Sequence, residues 1–438
     1  MMDFRLWAAP PLLYGNGIRI FHNVTKAHRL FIFPHKFEDI MAATEIKKDI
    51  YWVGAVDWDV RDFHGYSTEN GSTYNAYLIK DEKIALFDTV KKEFKADLLH
   101  HIRQVVGDPA KIDYIIINHV EMDHSGALPE IIDLVKPEKI FCSPMGKKAL
   151  IEHFHREDWP YEVVSTGDSI SLGSRTVQFL ETKMLHWPDS MFSYIPEDKL
   201  LISSDAFGHH WATSERFDDQ VDTHELMTHT AKYYANILMI FSPLVQKLLA
   251  QVKEMGLPIE MIAPDHGVVW RTSPGTIIEA YDRWSKLEPN HDKAVIIYDT
   301  MWHSTERMAK SIANSLQQAG IGHVKLLHVR RNHRSDIMTE VLDARAVILG
   351  SPTLNNNIMP AMADIATYMK GLRPKHKIGA AFGSFGWSGE AVKHLTGHMQ
   401  DMGFEIVGEG VKIKNVPDHD TLKACKELGA AVAAAMKG

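Results

Sequence analysis

Cysteine is scarce in this chain, and its sequence has no long apolar run. Cys142 and Cys425 are the two cysteines among 438 residues, which excludes a disulfide framework and fits a reducing compartment such as the cytoplasm. Two thiols also cannot supply the four thiolates of a typical iron–sulfur centre. No apolar run approaches the ~20 residues of a membrane-spanning helix, so no membrane association is predicted. Any metal must therefore be held mainly by carboxylates and by the 25 histidines.

Basic residues are also fewer than acidic ones. The chain has 48 Lys and Arg against 56 Asp and Glu, and a nucleic-acid partner is excluded because phosphate binding needs a basic face. The first 40 residues contain one short apolar run, Leu6–Tyr14, broken by Pro10 and Pro11. We interpret residues 1–40 as an N-terminal extension outside any domain. A secretory signal is the weaker alternative because Asp3 interrupts the basic start that such signals have.

The remaining sequence has two regions that differ in the order of their predicted helices and strands. In residues 41–288, short apolar runs alternate with turns and with helices such as Glu93–Val106, which predicts stacked α and β layers. Residues 289–438 follow a polar linker, Glu288–Lys293, and contain five successive strand–helix units. The last unit pairs a strand at Glu405–Val411 with a helix at Thr421–Met436. This regular alternation predicts a doubly wound parallel sheet.

A dense cluster of metal-ligand side chains lies in the segment Asn118–Gly126. It directly follows the apolar strand Tyr114–Ile117, and the end of a buried strand is a usual place for a site. If the segment is extended, positions 119, 121 and 123 project to one side, and the residue at 124 begins the next turn. The alternative is a polar loop that caps a helix. The four candidate ligands are His119, Glu121, Asp123 and His124.

Three further ligand-type side chains recur in one context, the end of an apolar strand beside glycine or proline. They are His186, Asp205 and His266. A lone histidine in such a turn is more often structural. The recurrence of this context, added to the first cluster, favours a shared metal site with nitrogen and oxygen donors.

Three polar loops follow predicted strands of the second region. The first, Asp299–Thr305, precedes a helix, whose free N–H groups and dipole favour a bound phosphate; an ordinary N-cap is the alternative. The other two follow the third and fourth strands, at the edge where such sheets bind ligands. Trp302 and Trp387 are candidate neighbours of a flat ring, or else packing residues. The candidate contacts are Thr300, Met301, Trp302, His303, Ser304, Thr305, Ser351, Pro352, Thr353, Leu354, Asn355, Asn356, Asn357, Ser384, Phe385, Gly386, Trp387, Ser388 and Gly389.

The order His-x-Glu-x-Asp-His, followed by His, Asp and His, resembles the metallo-β-lactamase-like fold as flavodiiron proteins use it. The three later loops look like the flavin mononucleotide (FMN) loops of flavodoxin. The resemblance covers residues 45–430. It implies an αββα sandwich at 41–288 and a flavodoxin-like FMN domain at 289–438. It also implies seven ligands to two non-haem irons: His119, Glu121 and His186 for one, Asp123, His124 and His266 for the other, and Asp205 bridging both.

Glu121 separates this sequence from zinc hydrolases of the same fold, which usually have a second histidine at that position. A carboxylate there suits iron, although the ligand set alone leaves zinc and manganese open. A flavin domain favours a redox metal because zinc has no use for delivered electrons. A zinc hydrolase joined to a flavodoxin-like module, and an electron carrier with an idle metal site, remain the alternatives.

The resemblance implies an oxidoreductase that reduces dioxygen to water, with nitric oxide reduction to nitrous oxide as the alternative. No four-cysteine module follows the flavodoxin-like region, so a separate electron carrier, rubredoxin, is expected. A head-to-tail homodimer or a dimer of dimers is implied, and Trp187 either faces the partner's flavin or packs in the core. His64 and Tyr233 resemble residues that line the gas pocket and donate hydrogen bonds or protons; the alternative is a structural role.

Overall fold

The structure is a computed structural model that describes residues 42–438. The N-terminal extension predicted for residues 1–40 lies outside this part. The first half of the described chain is built on two sheets. Its strands are β1 (Thr44–Lys47), β2 (Ile50–Trp52), β3 (Ala55–Asp57), β4 (Asp62–Phe63), β5 (Tyr66–Ser67), β6 (Ser72–Tyr74), β7 (Tyr77–Ile79), β8 (Ala85–Phe87), β9 (Tyr114–Ile117), β10 (Lys139–Cys142), β11 (Tyr161–Val163), β12 (Ser169–Ser171), β13 (Thr176–Glu181), β14 (Met191–Ile195), β15 (Leu200–Ile202) and β16 (Met261–Ala263).

The two sheets face each other across a shared apolar core. One sheet has the order β1-β2-β7-β8-β9-β10-β11 and the other β12-β13-β14-β15-β16. Ile50, Phe87 and Ile116 of the first sheet belong to the same buried cluster as Phe179 and Ile202 of the second. Strands such as β9 are apolar on both faces, because each sheet is also covered on its outer side.

Helices cover the outer faces of both sheets. Leu98 and Ile131 pack against the first sheet, and Leu248 and Ile277 pack against the second. The four layers form an αββα sandwich, so the stacked layers that the sequence predicts are confirmed. The helices are α1 (Lys95–Val106), α2 (Met122–Ser125), α3 (Leu128–Val135), α4 (Pro144–Phe154), α5 (Thr223–Tyr233), α6 (Ser242–Glu254) and α7 (Pro274–Ser285).

One helical run, Thr223–Glu254, is long and apolar enough to cross a membrane by length and composition alone. A π-helical turn at Tyr234–Leu238 and a 3-10 turn at Met239–Phe241 interrupt it. Its residues Leu226, Leu238 and Val245 are buried in the core beside the second sheet. These contacts are those of a core helix.

The second half is a single twisted sheet between two layers of helices. All its strand pairs are parallel, in the order β18-β17-β19-β20-β21, and β22 also pairs with β20. This doubly wound order confirms the predicted topology and opens a crevice at the carboxyl ends of β17 and β19. The elements are β17 (Asn290–Tyr298), α8 (Ser304–Gln318), β18 (His323–His328), α9 (Arg334–Asp343), β19 (Ala344–Gly350), α10 (Pro360–Leu372), β20 (Ile378–Phe385), α11 (Ala391–Asp401), β21 (Glu405–Ile406), β22 (Val411–Lys414) and α12 (His419–Lys437).

Two details of the sequence reading of this half were wrong. The linker predicted at 288–293 overlaps β17, which already begins at Asn290; its polar residues are exposed at the start of the strand. The strand predicted at Glu405–Val411 is two short strands, β21 and β22, because Gly408 and Gly410 both have positive φ and turn the chain between them.

The two halves touch directly through α9 and α10. The Ser335 hydroxyl accepts a hydrogen bond from the Ser67 N–H at 3.2 Å, and the Arg334 side chain donates to the Gly65 carbonyl at 3.2 Å. Lys232 on α5 pairs with Asp336 at 2.5 Å. These contacts fix the β4–β5 hairpin, which carries residue 64, against the second half of the chain.

The first prediction concerns Gly350, which ends β19 at the start of a candidate ligand loop. A Cβ there would run into the ring of Phe382 on the neighbouring strand. We expect Gly350→Ala to lower the free energy of unfolding by about 1–3 kcal/mol through overpacking. The measurement is urea denaturation followed by circular dichroism.

The matched control is Gly371→Ala in α10, where a Cβ meets no atom of the described residues within 4 Å. There alanine should leave stability unchanged or raise it by up to about 1 kcal/mol, because glycine is a poor helix former. Equal effects of the two substitutions would contradict the packing argument.

Candidate metal centre and flavin pocket

The loop after β9 is held in place by one buried carboxylate. Asp88 accepts hydrogen bonds from the N–H groups of Asn118 at 2.7 Å and of His119 at 3.3 Å. It also accepts from the Asn118 side chain at 2.8 Å. The first candidate ligand is thereby fixed at the end of the strand, over the sheet core.

The loop is not extended as the sequence analysis assumed. It enters the short helix α2 at Met122, so Asp123 and His124 lie on a helical turn while Glu121 lies at its N-cap. The turn, rather than strand alternation, separates the four side chains into two sets. All four side chains are buried, because each is at most 9% exposed.

The seven predicted ligands converge into two neighbouring groups of donor atoms. One group contains His119, Glu121, His186 and Asp205, and the other contains Asp123, His124 and His266. Within each group the donor atoms lie within 4.8 Å of one another. Side chains from four separate segments of the chain therefore meet in one place.

Asp205 lies between the two groups. Its Oδ2 is 3.3 Å from His119 Nε2 and 3.1 Å from His186 Nε2. Its Oδ1 is 3.3 Å from both His124 Nε2 and His266 Nε2. Each carboxylate oxygen thus faces a different pair of imidazoles, which is the arrangement of a carboxylate that bridges two cations.

Contacts behind two of the imidazoles set their tautomers. His119 Nδ1 lies 3.0 Å from Asp189 Oδ2, which also accepts from the Val120 N–H at 2.7 Å. His266 Nδ1 lies 2.6 Å from the Thr73 carbonyl oxygen, an acceptor only. A ring that donates through Nδ1 presents its Nε2 lone pair to the site, as metal ligands do.

Several buried polar atoms of this centre have no hydrogen-bond partner among the described residues. Within residues 42–438, both oxygens of Asp123 and of Asp205 and both ring nitrogens of His124 are buried without a hydrogen-bond partner. Burying such groups unsatisfied is costly, whereas coordination of a cation would satisfy them. Four imidazoles and three carboxylates suit iron in this role, so the donor set fits a pair of iron ions.

Electrostatics inside the cluster are dominated by the carboxylates. Burial opposes protonation of His124, yet Asp123 and Asp205 raise its pKa to about 10. Burial likewise opposes protonation of His186, but the nearby carboxylates of Asp205 and Glu121 raise its pKa to about 9. In the metal-free protein these two imidazoles therefore hold protons that a metal must displace.

A cavity of about 240 Å³ opens directly over the donor groups. His64 and Tyr233 line it, as predicted, and His64 Nε2 lies 3.1 Å from Glu121 Oε1. Several wall residues were not predicted from the sequence, among them His210, which follows Asp205 by five positions. The second half of the chain contributes Tyr368 from α10. The missed wall residues are Phe63, Tyr66, His210, Asn236, Ile237 and Tyr368.

A second pocket, of about 510 Å³, lies at the carboxyl ends of the strands of the parallel sheet. It is lined by parts of all three predicted loops. The predicted residues that line it are Met301, Trp302, Ser304, Pro352, Thr353, Leu354, Asn355, Asn356, Ser384, Phe385, Gly386, Trp387 and Ser388.

Other predicted residues of these loops do not line the pocket. Ser351 donates to the Pro352 carbonyl at 2.8 Å and accepts from the Met359 N–H at 2.9 Å. The buried Thr305 hydroxyl bonds Ser384 at 3.0 Å. These residues shape the loops. The set outside the pocket lining is Thr300, His303, Thr305, Ser351, Asn357 and Gly389.

The fifth loop of this domain also reaches the pocket, and the sequence analysis missed it. Asn415 and Val416 line the pocket just after β22. Asn415 has positive φ, and its N–H donates to the Phe385 carbonyl at 2.7 Å. Ending the fifth strand at Lys414, before the turn residues Asn415 and Pro417, would have revealed this loop.

Trp302 and Trp387 stand at the pocket with 87% of their surface exposed. A tryptophan that packs in a core buries most of its ring, so the packing alternative does not hold within the described chain. Both indoles remain available to a flat ligand in the pocket or to a surface that covers it.

Comparisons with known proteins agree with this architecture. The family described as ODP family beta lactamase matches residues 73–267, and flavodoxin matches residues 296–429. A protein named rubredoxin-oxygen oxidoreductase, from Megalodesulfovibrio gigas, is 49% identical over 400 residues, which cover 91% of this chain and 99% of its own. A nitric oxide reductase from Moorella thermoacetica is 49% identical over 392 residues, covering 89% of this chain and 98% of its own.

Solved structures extend the similarity to the whole fold. The crystal structure of the flavodiiron protein from Giardia intestinalis matches with a TM-score of 0.87 at 34% identity, covering 90% of this chain and 97% of that one. The fold and the site therefore define an oxidoreductase in which a lactamase-like metal domain precedes a flavodoxin domain. The chain belongs to the flavodiiron protein family, whose cofactors are FMN and a pair of non-haem irons.

The second prediction tests the contact behind His119. Asp189→Asn keeps the shape of the side chain but removes the charge that orients the imidazole. We expect metal affinity to fall about 10- to 100-fold, the usual cost of losing such a contact. Iron content after dialysis against a chelator measures it.

Asp108→Asn is its matched control, because this carboxylate also accepts a backbone N–H but lies exposed at a distant turn. That variant should hold iron as the unmodified protein does. Equal iron retention by Asp189→Asn and the unmodified protein would show that the contact does not hold the ligand.

The third prediction follows from the raised pKa values of His124 and His186. Since the metal must displace their protons, apparent metal affinity should rise as pH increases towards about 9 and should fall as pH decreases below it. Anaerobic competition between the protein and a chelator for ferrous iron, at several pH values, measures this. An affinity independent of pH between 6 and 9 would contradict it.

Proposed function

We propose that this protein reduces dioxygen to water, with electrons that pass through FMN to a two-iron centre. The observation that carries the proposal is the Asp205 carboxylate, whose two oxygens face two separate sets of imidazoles beneath one small cavity. The lactamase-like donor set and the flavodoxin-like pocket occur in one chain.

The proposed ligands are the seven side chains of the two donor groups, with Asp205 shared. The proposed FMN contacts are the lining residues of the second pocket, with the phosphate near the N-terminus of α8, where neutral donors and the helix dipole receive it. When bound, FMN and the irons supply electrons, and four electrons with four protons convert one dioxygen into two waters. The chain's own side chains bind these groups, close the cavity and position its hydrogen-bond donors.

The size of the cavity supports a very small substrate. At about 240 Å³ it is smaller than the roughly 300–1,000 Å³ typical of sites for larger organic ligands. That favours a diatomic gas over the thioesters and lactams of the hydrolase alternative. His64, held against Glu121, and Tyr233 are proposed to donate hydrogen bonds or protons there.

Nitric oxide is the second candidate, because a relative of equal identity is named nitric oxide reductase. We place dioxygen first because the relative that aligns over 400 residues, against 392, is named rubredoxin-oxygen oxidoreductase. The same name supports rubredoxin as the electron donor. Two electrons and two protons would convert two nitric oxides into nitrous oxide and water.

A homodimer is proposed as the working form, with the exposed Trp302 and Trp387 covered by the second copy. Trp187 packs edge-on against His119, with 5.3 Å between the ring centroids, and its role towards the partner's flavin stays a prediction. Sedimentation velocity should give twice the chain mass. A cytoplasmic location and the domain limits at 41–288 and 289–438 also stay predictions.

The fourth prediction tests the proposed function. Asp205→Ala should lower kcat/KM for gas reduction by more than about 100-fold, because the shared carboxylate of both donor groups is lost. FMN content should not change. Rates are measured with each gas and reduced rubredoxin, together with iron and flavin content.

Asp168→Ala, a surface carboxylate that accepts the Ser165 N–H, serves as the control and should retain full turnover. Full gas reduction by Asp205→Ala would refute the centre. Two zinc ions with hydrolytic activity would establish the hydrolase instead, and much faster turnover of nitric oxide would reverse the order of the two gases.

A further inference from the structure

The wall of the metal cavity contains a buried histidine that no metal donor group uses. His210 lines the cavity, is 2% exposed and follows the loop that carries Asp205. Its ring packs 4.6 Å from that of His266 and 5.1 Å from that of Tyr233, between centroids. Among the described residues its Nε2 has no hydrogen-bond partner, and an unsatisfied buried polar atom beside a cavity points to a ligand there.

Two residues of strand β6 contact the Nδ1 atoms of two neighbouring imidazoles, those of His266 and His210. The Thr73 carbonyl, which only accepts, binds Nδ1–H of His266 at 2.6 Å and leaves Nε2 of that ring as a lone pair. The preceding residue, Ser72, contacts Nδ1 of His210 at 2.7 Å. One strand therefore sets the orientation of a ligand histidine and of its non-ligand neighbour.

The proton of the Ser72 hydroxyl decides the tautomer of His210. Two acceptors are within reach, His210 Nδ1 at 2.7 Å and the Thr73 carbonyl at 3.2 Å. We infer that the hydroxyl proton lies in the shorter contact, to His210 Nδ1, because the Thr73 carbonyl also faces Nδ1 of His266 at 2.6 Å. With Nδ1 of His210 accepting, the ring proton lies on Nε2, the nitrogen that lacks a partner.

A neighbouring histidine shows what a structural role looks like in this region. His209, equally buried, accepts a hydrogen bond through Nε2 from the Val268 N–H at 3.1 Å, and its ring packs under Gly267. It is absent from the cavity wall. Each of the two histidines has one buried ring nitrogen without a partner among the described residues. His210 differs because its ring borders the cavity.

We propose that His210 is a catalytic residue that donates a hydrogen bond from Nε2 to the small molecule held in the cavity. The inference rests on the proposed function, in which that molecule is dioxygen or nitric oxide. Ser72 is a positioning residue that acts through His210 by keeping the proton on Nε2. The cavity thereby has one donor fixed from behind by a strand, in addition to His64 and Tyr233.

The experiment compares His210→Phe, which keeps a flat ring without a donor, with His210→Gln, which restores an N–H. We expect kcat to fall roughly 5- to 100-fold in His210→Phe and to recover in part in His210→Gln. KM for reduced rubredoxin should not change. Ser72→Ala should give an intermediate loss, because His210 can then exchange tautomers. His229→Gln, another buried histidine that bonds Asn70 outside the cavity, should behave as the unmodified protein.

A second readout does not depend on turnover. Nitric oxide is added to the reduced, iron-loaded proteins, and the N–O stretching frequency is recorded. A hydrogen bond to the oxygen draws electron density onto it and lowers the frequency, so His210→Phe should shift the band upwards and His210→Gln should shift it less. Iron and FMN content should be equal in all variants.

An unchanged band in His210→Phe would overturn the inference, as would equal kinetic losses in the Phe and Gln variants with unaltered spectra. If the unmodified, iron-loaded protein reduces neither gas, the proposed function fails. The shift of the N–O band still decides the role of His210 in that case, because it measures the hydrogen bond directly.

Discussion

The burial of three carboxylates against four imidazoles is the constraint on which the rest of this structure depends. Asp205 is 1% exposed and His119 and His124 are fully buried, so none of them can rely on water. Their mutual contacts at 3.1–3.3 Å leave lone pairs and ring nitrogens unsatisfied. Such a cluster is stable only where a rigid surrounding holds it and cations complete it. The sandwich meets the first condition, because the ligand loops follow strands that are packed in the apolar core.

Hydrogen-bond acceptors behind the ligands, some neutral and some anionic, hold the ligand side chains in position. Asp88 orders the backbone of the first loop, Asp189 orients His119, and the Thr73 carbonyl orients His266. None of these groups needs to touch a metal. They decide which nitrogen each ring presents, and that choice separates a histidine that coordinates from one, such as His210, that can donate.

The seven donor residues could be predicted from sequence because each stands at the end of an apolar strand in a distinctive local motif. Their division into two groups was implied by the family resemblance and not by the spacing, because it depends on the helical turn at Met122 that replaced the expected extended segment. His210, Tyr66 and Tyr368 were missed for a different reason. They contact residues that are distant in the sequence, as Tyr66 contacts His210 and Tyr368 contacts Asn236, and local patterns carry no signal for such contacts. Asn415 was missed because the fifth strand was drawn as one piece across two glycine turns.

The contact between the two halves bears on the same cavity. The second half contributes Tyr368 to its wall, and the hydroxyl of this residue donates to Asn236 at 2.9 Å. It also fixes the His64 hairpin through Arg334 and Ser335. The flavodoxin-like half is thus part of the wall of the metal cavity as well as the bearer of the flavin pocket. Separating the halves would therefore remove part of the cavity wall and release the His64 hairpin, so the two halves are not independent modules at this site.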